Sequence, residues 1–153
     1  MSWKLLLFEL LFILAILCDG CDLVERNLPA NSDLIIQNGS VCGWGAGTDS
    51  LIITKNEIRY MFYTPRLSLE PQILKSRSIP ETEWNEIVHS FKVTEFEKLN
   101  NNTCNVCFDG CDEWIAVQNG QSSHKITFGK GMKIDTISQL QLKISALRTE
   151  FNP

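Results

Sequence analysis

The sequence predicts an α+β fold: an antiparallel β-sheet of about five strands in hairpins, with two helices packed on one face. Three observations lead there. Two stretches, "LIITKNEIRYMF" and "WIAVQNGQSSHKITF", alternate apolar and polar residues around a short polar turn, the period-2 signature of half-buried strands. Two others, Trp84 to Phe91 and Ile137 to Phe151, repeat apolar residues at steps of three and four, which puts one apolar stripe on each of two helices. The order along the chain is strands, helix, hairpin, helix, so helices are segregated from strands rather than interleaved as a parallel sheet requires.

The chain divides into residues 1–20 as an export signal, 21–40 as an N-terminal tether and 41–153 as a single α+β domain. Lys4 precedes an apolar run from Leu5 to Leu17, broken only by Glu9. A membrane-spanning helix needs about 20 apolar residues and a secretory signal only about 7 to 15. Gly20 supplies a small residue in front of Cys21. Cys21, and behind it Cys18, are candidates for lipidation, although Asp19 and Leu17 fit a lipoprotein signal poorly. Cys21 is favoured on parity, since loss of Cys18 with the signal and lipidation of Cys21 would leave four cysteines. Within the tether, "DLIIQ" has the composition of a short strand. The loop "GWGAG" that follows lacks the Gly-Lys-Ser/Thr ending of a phosphate loop. Trp44 at its centre is read as a plug over the core, with an exposed contact residue as the alternative.

Lys55-Asn56 as a two-residue turn puts Leu51 and Ile53 on one face with Ile58, Tyr60 and Phe62. Pro65 and Pro71 bound a loop, and "QILKSRSI" reads as a third, weaker strand. Pro80 and the acidic "ETE" suit a helix start; Trp84, Ile87, Val88 and Phe91 form its stripe. Thr94 and Glu97 have capping-box spacing for a further turn that buries Phe96 and Leu99. Asn119-Gly120 is a strong hairpin signal and puts Ile115 and Val117 on one face with His124, Ile126 and Phe128, leaving Trp114 and Lys125 on the other. The last helix starts near Thr136, with Gln139 as its capping partner, and lays Ile137, Leu140, Ile144, Leu147 and Phe151 over the hairpins as a lid. Ile53, Tyr60, Phe91, Ile115, Ile126, Leu140 and Leu147 are expected to meet in one core.

Six cysteines, 14 basic and 18 acidic residues complete the constraints. A net charge of −4 with no Lys/Arg stripe argues against nucleic acid as a partner. Three cysteines crowd into "CNVCFDGC", Cys104, Cys107 and Cys111, and the fourth of the domain is Cys42. One C-x2-C pair is half of a zinc site, but the other half would be a lone cysteine. A redox C-x-x-C sits at a helix N-terminus, whereas "EWIAVQ" after this cluster reads as a strand. An exported chain matures where disulfides persist, so the four are read as two structural bridges, with three connectivities open. Cys42 bonded to any of the triple closes a loop of about 65 residues, a stabilisation of roughly 4 kcal/mol in the chain-entropy model.

The layout resembles a family of small bacterial exported or lipoprotein-anchored domains of uncharacterised function. The residues that carry the likeness are Leu51, Ile53 and Tyr60, the helix from Trp84 to Phe91 with Phe96 and Leu99, the hairpin from Trp114 to Phe128, and the helix from Ile137 to Phe151. They span about two thirds of the chain and are mainly core patterning. The cysteine density departs from the family's pattern. The resemblance implies an envelope location and this fold, and brings no catalytic residue.

For catalysis only His89 and His124 are available as easy bases, and each falls where packing explains it; Asp109 and Asp112 lack the ligand series of a calcium loop and read as turn residues. No catalytic residue, metal or cofactor is therefore expected. The function expected is an exported, envelope-associated or secreted, non-enzymatic binding module, a monomer, whose sheet face without helices (Trp114, Lys125, Arg59, Tyr63) and Trp44 loop meet an unknown protein or glycan. The alternatives are a small secreted cysteine- or zinc-dependent enzyme centred on Cys42, Cys104, Cys107 and Cys111 with His124, and an inhibitor or immunity-type protein.

Overall fold

A computed structural model describes residues 34–43, 47–64 and 71–151. The expected signal, Cys18, Cys21 and Trp44 lie outside the described residues. Among these the fold is α+β: β1 (Leu34–Cys42), β2 (Thr48–Ile53), β3 (Glu57–Tyr63), β4 (Ile73–Ser78), α1 (Glu81–Val88), the single turn α2 (Val93–Phe96), β5 (Cys111–Asn119), β6 (Ser122–Gly129) and α3 (Ser138–Phe151). Short 3₁₀ turns at Asn105–Phe108 and Asp135–Ile137 precede β5 and α3.

The sheet has six antiparallel strands in the order β4-β3-β2-β1-β5-β6, one more than expected. The short strand read in "DLIIQ" is β1, which runs on from Leu34 to Cys42 and occupies the middle of the sheet, so the tether boundary at residue 40 falls inside a structural element. Leu34 and Ile36 on β1 are buried, and on the same face follow Asn38 and Ser40, both nearly inaccessible. That polar continuation makes the strand look shorter in sequence than it is.

The first hairpin has the expected register. Ile53 pairs with Ile58 and Leu51 with Tyr60, Lys55-Asn56 form the turn, and the Thr54 amide donates to the Glu57 carbonyl at 3.0 Å. In the second hairpin the closing pair is Asn119 with Ser122, so the turn residues are Gly120-Gln121, with Gly120 at φ 58°. The pairing moves by two residues, and Ile115 faces Ile126 instead of His124. A slip of two preserves side-chain parity, so the expected faces hold.

The two longer helices cover one face, and all seven residues expected in the core are buried there. Trp84, Phe96 and Tyr60 are its largest fully buried side chains, and Tyr60 stacks on Phe151 at 6.0 Å between ring centroids. Full burial of such a side chain is worth about 1.5–3 kcal/mol. Arg77 on β4 ties both helices to the sheet edge, donating to Glu83 at 2.7 and 2.8 Å and to Glu150 at 2.6 and 2.9 Å. Neither expected capping box forms. Val93–Phe96 is capped at Lys92 without a side-chain bond, and the Gln141 side chain instead accepts from the Ile134 amide at 2.9 Å and donates to the Met132 carbonyl at 2.8 Å.

Candidate functional site

The four cysteines of the domain are joined as Cys42–Cys111 and Cys104–Cys107. The first bond follows from register. The Gly43 amide donates to the Gly110 carbonyl at 3.0 Å, so the adjacent pair, Cys42 with Cys111, is the non-hydrogen-bonded kind whose Cα atoms approach to about 4.5 Å; here they are 4.1 Å apart. The second bond closes the turn Asn105–Phe108. Sulfurs bonded in pairs offer neither the thiolates that a zinc site needs nor a free nucleophile.

On the open face of the sheet, opposite the helices, the cysteine loop folds back over β5. Asp112 points to this side and is 1% exposed. Its carboxylate accepts from Thr103 Oγ1 at 2.8 Å, Asn105 Nδ2 at 3.0 Å and the Val106 amide at 2.9 Å. Burial pushes the carboxyl up, but the Val106 amide, with the Thr103 hydroxyl and the Asn105 side chain, outweighs it and holds the group below its ordinary value. Asp112 is thus an internal cap for the loop, in line with the turn role expected of it. Gly129 lets the loop lie close, because a Cβ there would stand 2.9 Å from Asn105 Nδ2. On the outer edge of β6, the Thr127 amide donates to the Asn101 carbonyl at 3.0 Å and the Thr103 amide to the Thr127 carbonyl at 3.1 Å. At the end of this thrice-held loop, Phe108 is 87% exposed.

Trp114 and Lys125 share the open face as expected, with Lys125 Nζ 4.5 Å from the Trp114 ring centroid. The indole packs against Gly39, where a Cβ would approach it to 2.6 Å. Arg59 and Tyr63 point to the same side but sit on β3, separated from Trp114 by β2 and β1, about 14 Å away at the normal strand spacing. Arg59 is engaged with Glu57. The expected surface is therefore two patches, of which the Trp114–Lys125 patch adjoins the cysteine loop.

His124 takes a packing position, with Nε2 2.8 Å from the Leu99 carbonyl and its ring edge-on to Phe96 at 5.5 Å. His89 stands exposed at the end of α1, Nδ1 2.6 Å from the Asn85 carbonyl.

Under the helices lies a polar cluster that sequence reasoning missed. Arg148 of α3 donates to Asp49 at 2.6, 2.7 and 3.0 Å, to Glu113 Oε1 at 2.9 Å and to Ser40 Oγ at 3.0 Å. Ser40 also donates to Asp49 through its amide, at 3.1 Å, and its hydroxyl. Burial, with the neighbouring Asp49 carboxylate, pushes the Tyr60 phenol up. Two carboxylates against one guanidinium leave this cluster one negative charge in excess. Its members come from β1, β2, β5 and α3, and the available signal was phase: Asn38 and Ser40 continue the Leu34/Ile36 face, and Arg148 is four residues beyond Ile144 on the apolar stripe.

A scan of protein-family models finds none that matches the chain, and a search of curated proteins finds no significant match.

Proposed function

We propose that the chain is exported and acts in an oxidising compartment as a non-enzymatic interaction module, contacting a protein or glycan through the cysteine loop and the adjoining Trp114–Lys125 patch. The two disulfides support the compartment, since such bonds persist where no thiol pool reduces them. The apolar segment before Cys21 supports export, and Cys21 is the position at which an anchor would sit.

The observation that carries the binding role is Phe108. A phenylalanine exposed to 87% gains nothing for the fold, yet its loop is fixed by a covalent closure, by Asp112 beneath and by the bridge to β6. Fixing a contact residue before association removes ordering entropy from the binding step, and aromatic anchors dominate interface energetics. The cysteine- or zinc-dependent alternative has less support, because the sulfurs it would use are bonded to one another.

The test is a photo-crosslinking residue placed at position 108 in the native host, with position 55 in the β2–β3 turn as control, followed by intact mass of the product with and without reduction. A discrete adduct from 108 but not 55, on a processed chain that gains four thiols on reduction, is the expected result. Full-length product with free sulfhydryls overturns the compartment; equal adducts from both positions, or none from 108, overturn the contact surface.

A further inference from the structure

On the helix side of the sheet, away from the surface just discussed, a cleft of about 630 Å³ opens between α3, β5 and the Lys130–Lys133 turn. Its walls include Ile115, Phe128 and Ile144, and two apolar side chains stand exposed at its mouth, Met132 at 47% and Leu142 at 63%. The cleft is lined at its base by Asn38, Asp49, Glu113 and Arg148.

The free valences at that base are acceptors. Asn38 is 2% exposed; its Nδ2 donates to the Trp114 carbonyl at 2.9 Å, while Oδ1 is buried with no hydrogen-bond partner. Native proteins rarely leave such an atom unpaired. Glu113 commits only Oε1 to Arg148, and among the described residues Oε2 accepts no bond. Arg148 is turned inward on Asp49, Glu113 and Ser40, so its charge is already matched and the base keeps one negative charge in excess.

The geometry points to this cleft as a binding site for a small amphipathic cation: a primary ammonium seated against Glu113 Oε2 at the base that Asn38 also lines, with its apolar body against Met132 and Leu142. An ammonium supplies three donors and one positive charge, which answers the uncommitted Glu113 oxygen and the excess charge together. Lys130 and Lys133 also line the cleft, but both are exposed. Solvent and salt weaken the field of exposed charges far more than that of buried ones.

The experiment titrates the intact, disulfide-bonded protein with 2-phenylethylamine, 2-phenylethanol and 3-phenylpropionate, following backbone amide shifts. The amine is expected to bind at least about tenfold more tightly than the other two, a difference of about 1.4 kcal/mol, moving amides of Asn38, Glu113, Ile115 and residues 130–145. In Glu113→Gln, which keeps an acceptor for Arg148, the preference for amine over alcohol should vanish while alcohol affinity stays. Repeating the titrations at tenfold higher salt tests the same claim without touching the base: salt screens the exposed Lys130 and Lys133 far more than the shielded carboxylates, so the preference for amine should persist. Equal affinity for the three probes, shifts confined to other surfaces, or a preference for amine that disappears with salt would each overturn the proposal.

Discussion

Removing the Cys42–Cys111 bond should cost far more stability than removing Cys104–Cys107, although the second lies in the denser cysteine cluster. The two bonds differ in the length of chain they close, with sequence separations of 69 and 3. In the chain-entropy model a cross-link acts on the unfolded ensemble in proportion to the logarithm of that length, giving about 4 kcal/mol for the long loop and about 2 kcal/mol for the short one. The native ladder needs neither sulfur to hold its register, because β1 and β5 pair along nine residues from Leu34–Asn119 to Cys42–Cys111. At roughly 4 °C per kcal/mol for a domain of this size, a Cys42→Ala/Cys111→Ala protein should melt about 15 °C lower. Its m-value in urea should rise, since the unlinked unfolded chain exposes more surface. Cys104→Ala/Cys107→Ala should lose about half as much with little change in m. Equilibrium urea unfolding of the three proteins measures both quantities. A Cys42→Ala/Cys111→Ala loss no larger than that of the short-loop variant would refute the reasoning.

Asp112 should make the domain acid-labile. Its folded value is depressed, so its contribution is fully present above the unfolded aspartate value near 3.9 and is lost as pH falls through the lower folded value. Urea midpoints measured from pH 6 to pH 2 should therefore drop in that window, and Asp112→Asn should flatten this drop while destabilising the protein by about 2 kcal/mol at pH 7, the scale of a hydrogen bond to a buried charge. Arg148→Met should leave Asp49 and Glu113, with side chains 11% and 19% exposed, facing each other without a counter-ion, at a loss of about 3 kcal/mol. Arg148→Lys should recover only a part, because an ammonium cannot span Asp49, Glu113 and Ser40 together; thermal melts of the two variants decide it.

Much of the fold was legible because its signals are local. Lys55-Asn56 set the first hairpin's register, and the stripe from Ile137 to Phe151 predicted every helix residue that is buried in α3. The second turn was misplaced by one residue because Asn119-Gly120 and Gly120-Gln121 both offer a glycine for the left-handed position, and only the cross-strand partners of β5 distinguish them. The capping box of α3 fails for a related reason: Gln141, two residues beyond Gln139, reaches the same helix end, a competition that spacing alone does not express. The central strand and the Asp49–Arg148–Glu113 cluster were the least legible. The strand signal "DLIIQ" ends at Gln37, and Asn38, Gly39 and Ser40 extend the strand because β2 and β5 arrive from either side. Each charged member of the cluster reads singly as solvated surface, and Asp49 and Arg148 lie 99 residues apart.

The middle position of β1 also bears on the order in which the body can assemble. A chain threaded from its N-terminus delivers this strand first, and the neighbouring hairpin can form against it at once. Its other flank must wait until β5 emerges, some seventy residues later, and a pairing of such long range slows folding. During that interval the Cys42 side has an unpaired ribbon edge open to mispairing, and the sulfur there can reach Cys104 or Cys107 before its native partner. Assistance in exchanging those early bonds should therefore govern the yield of correctly tied protein.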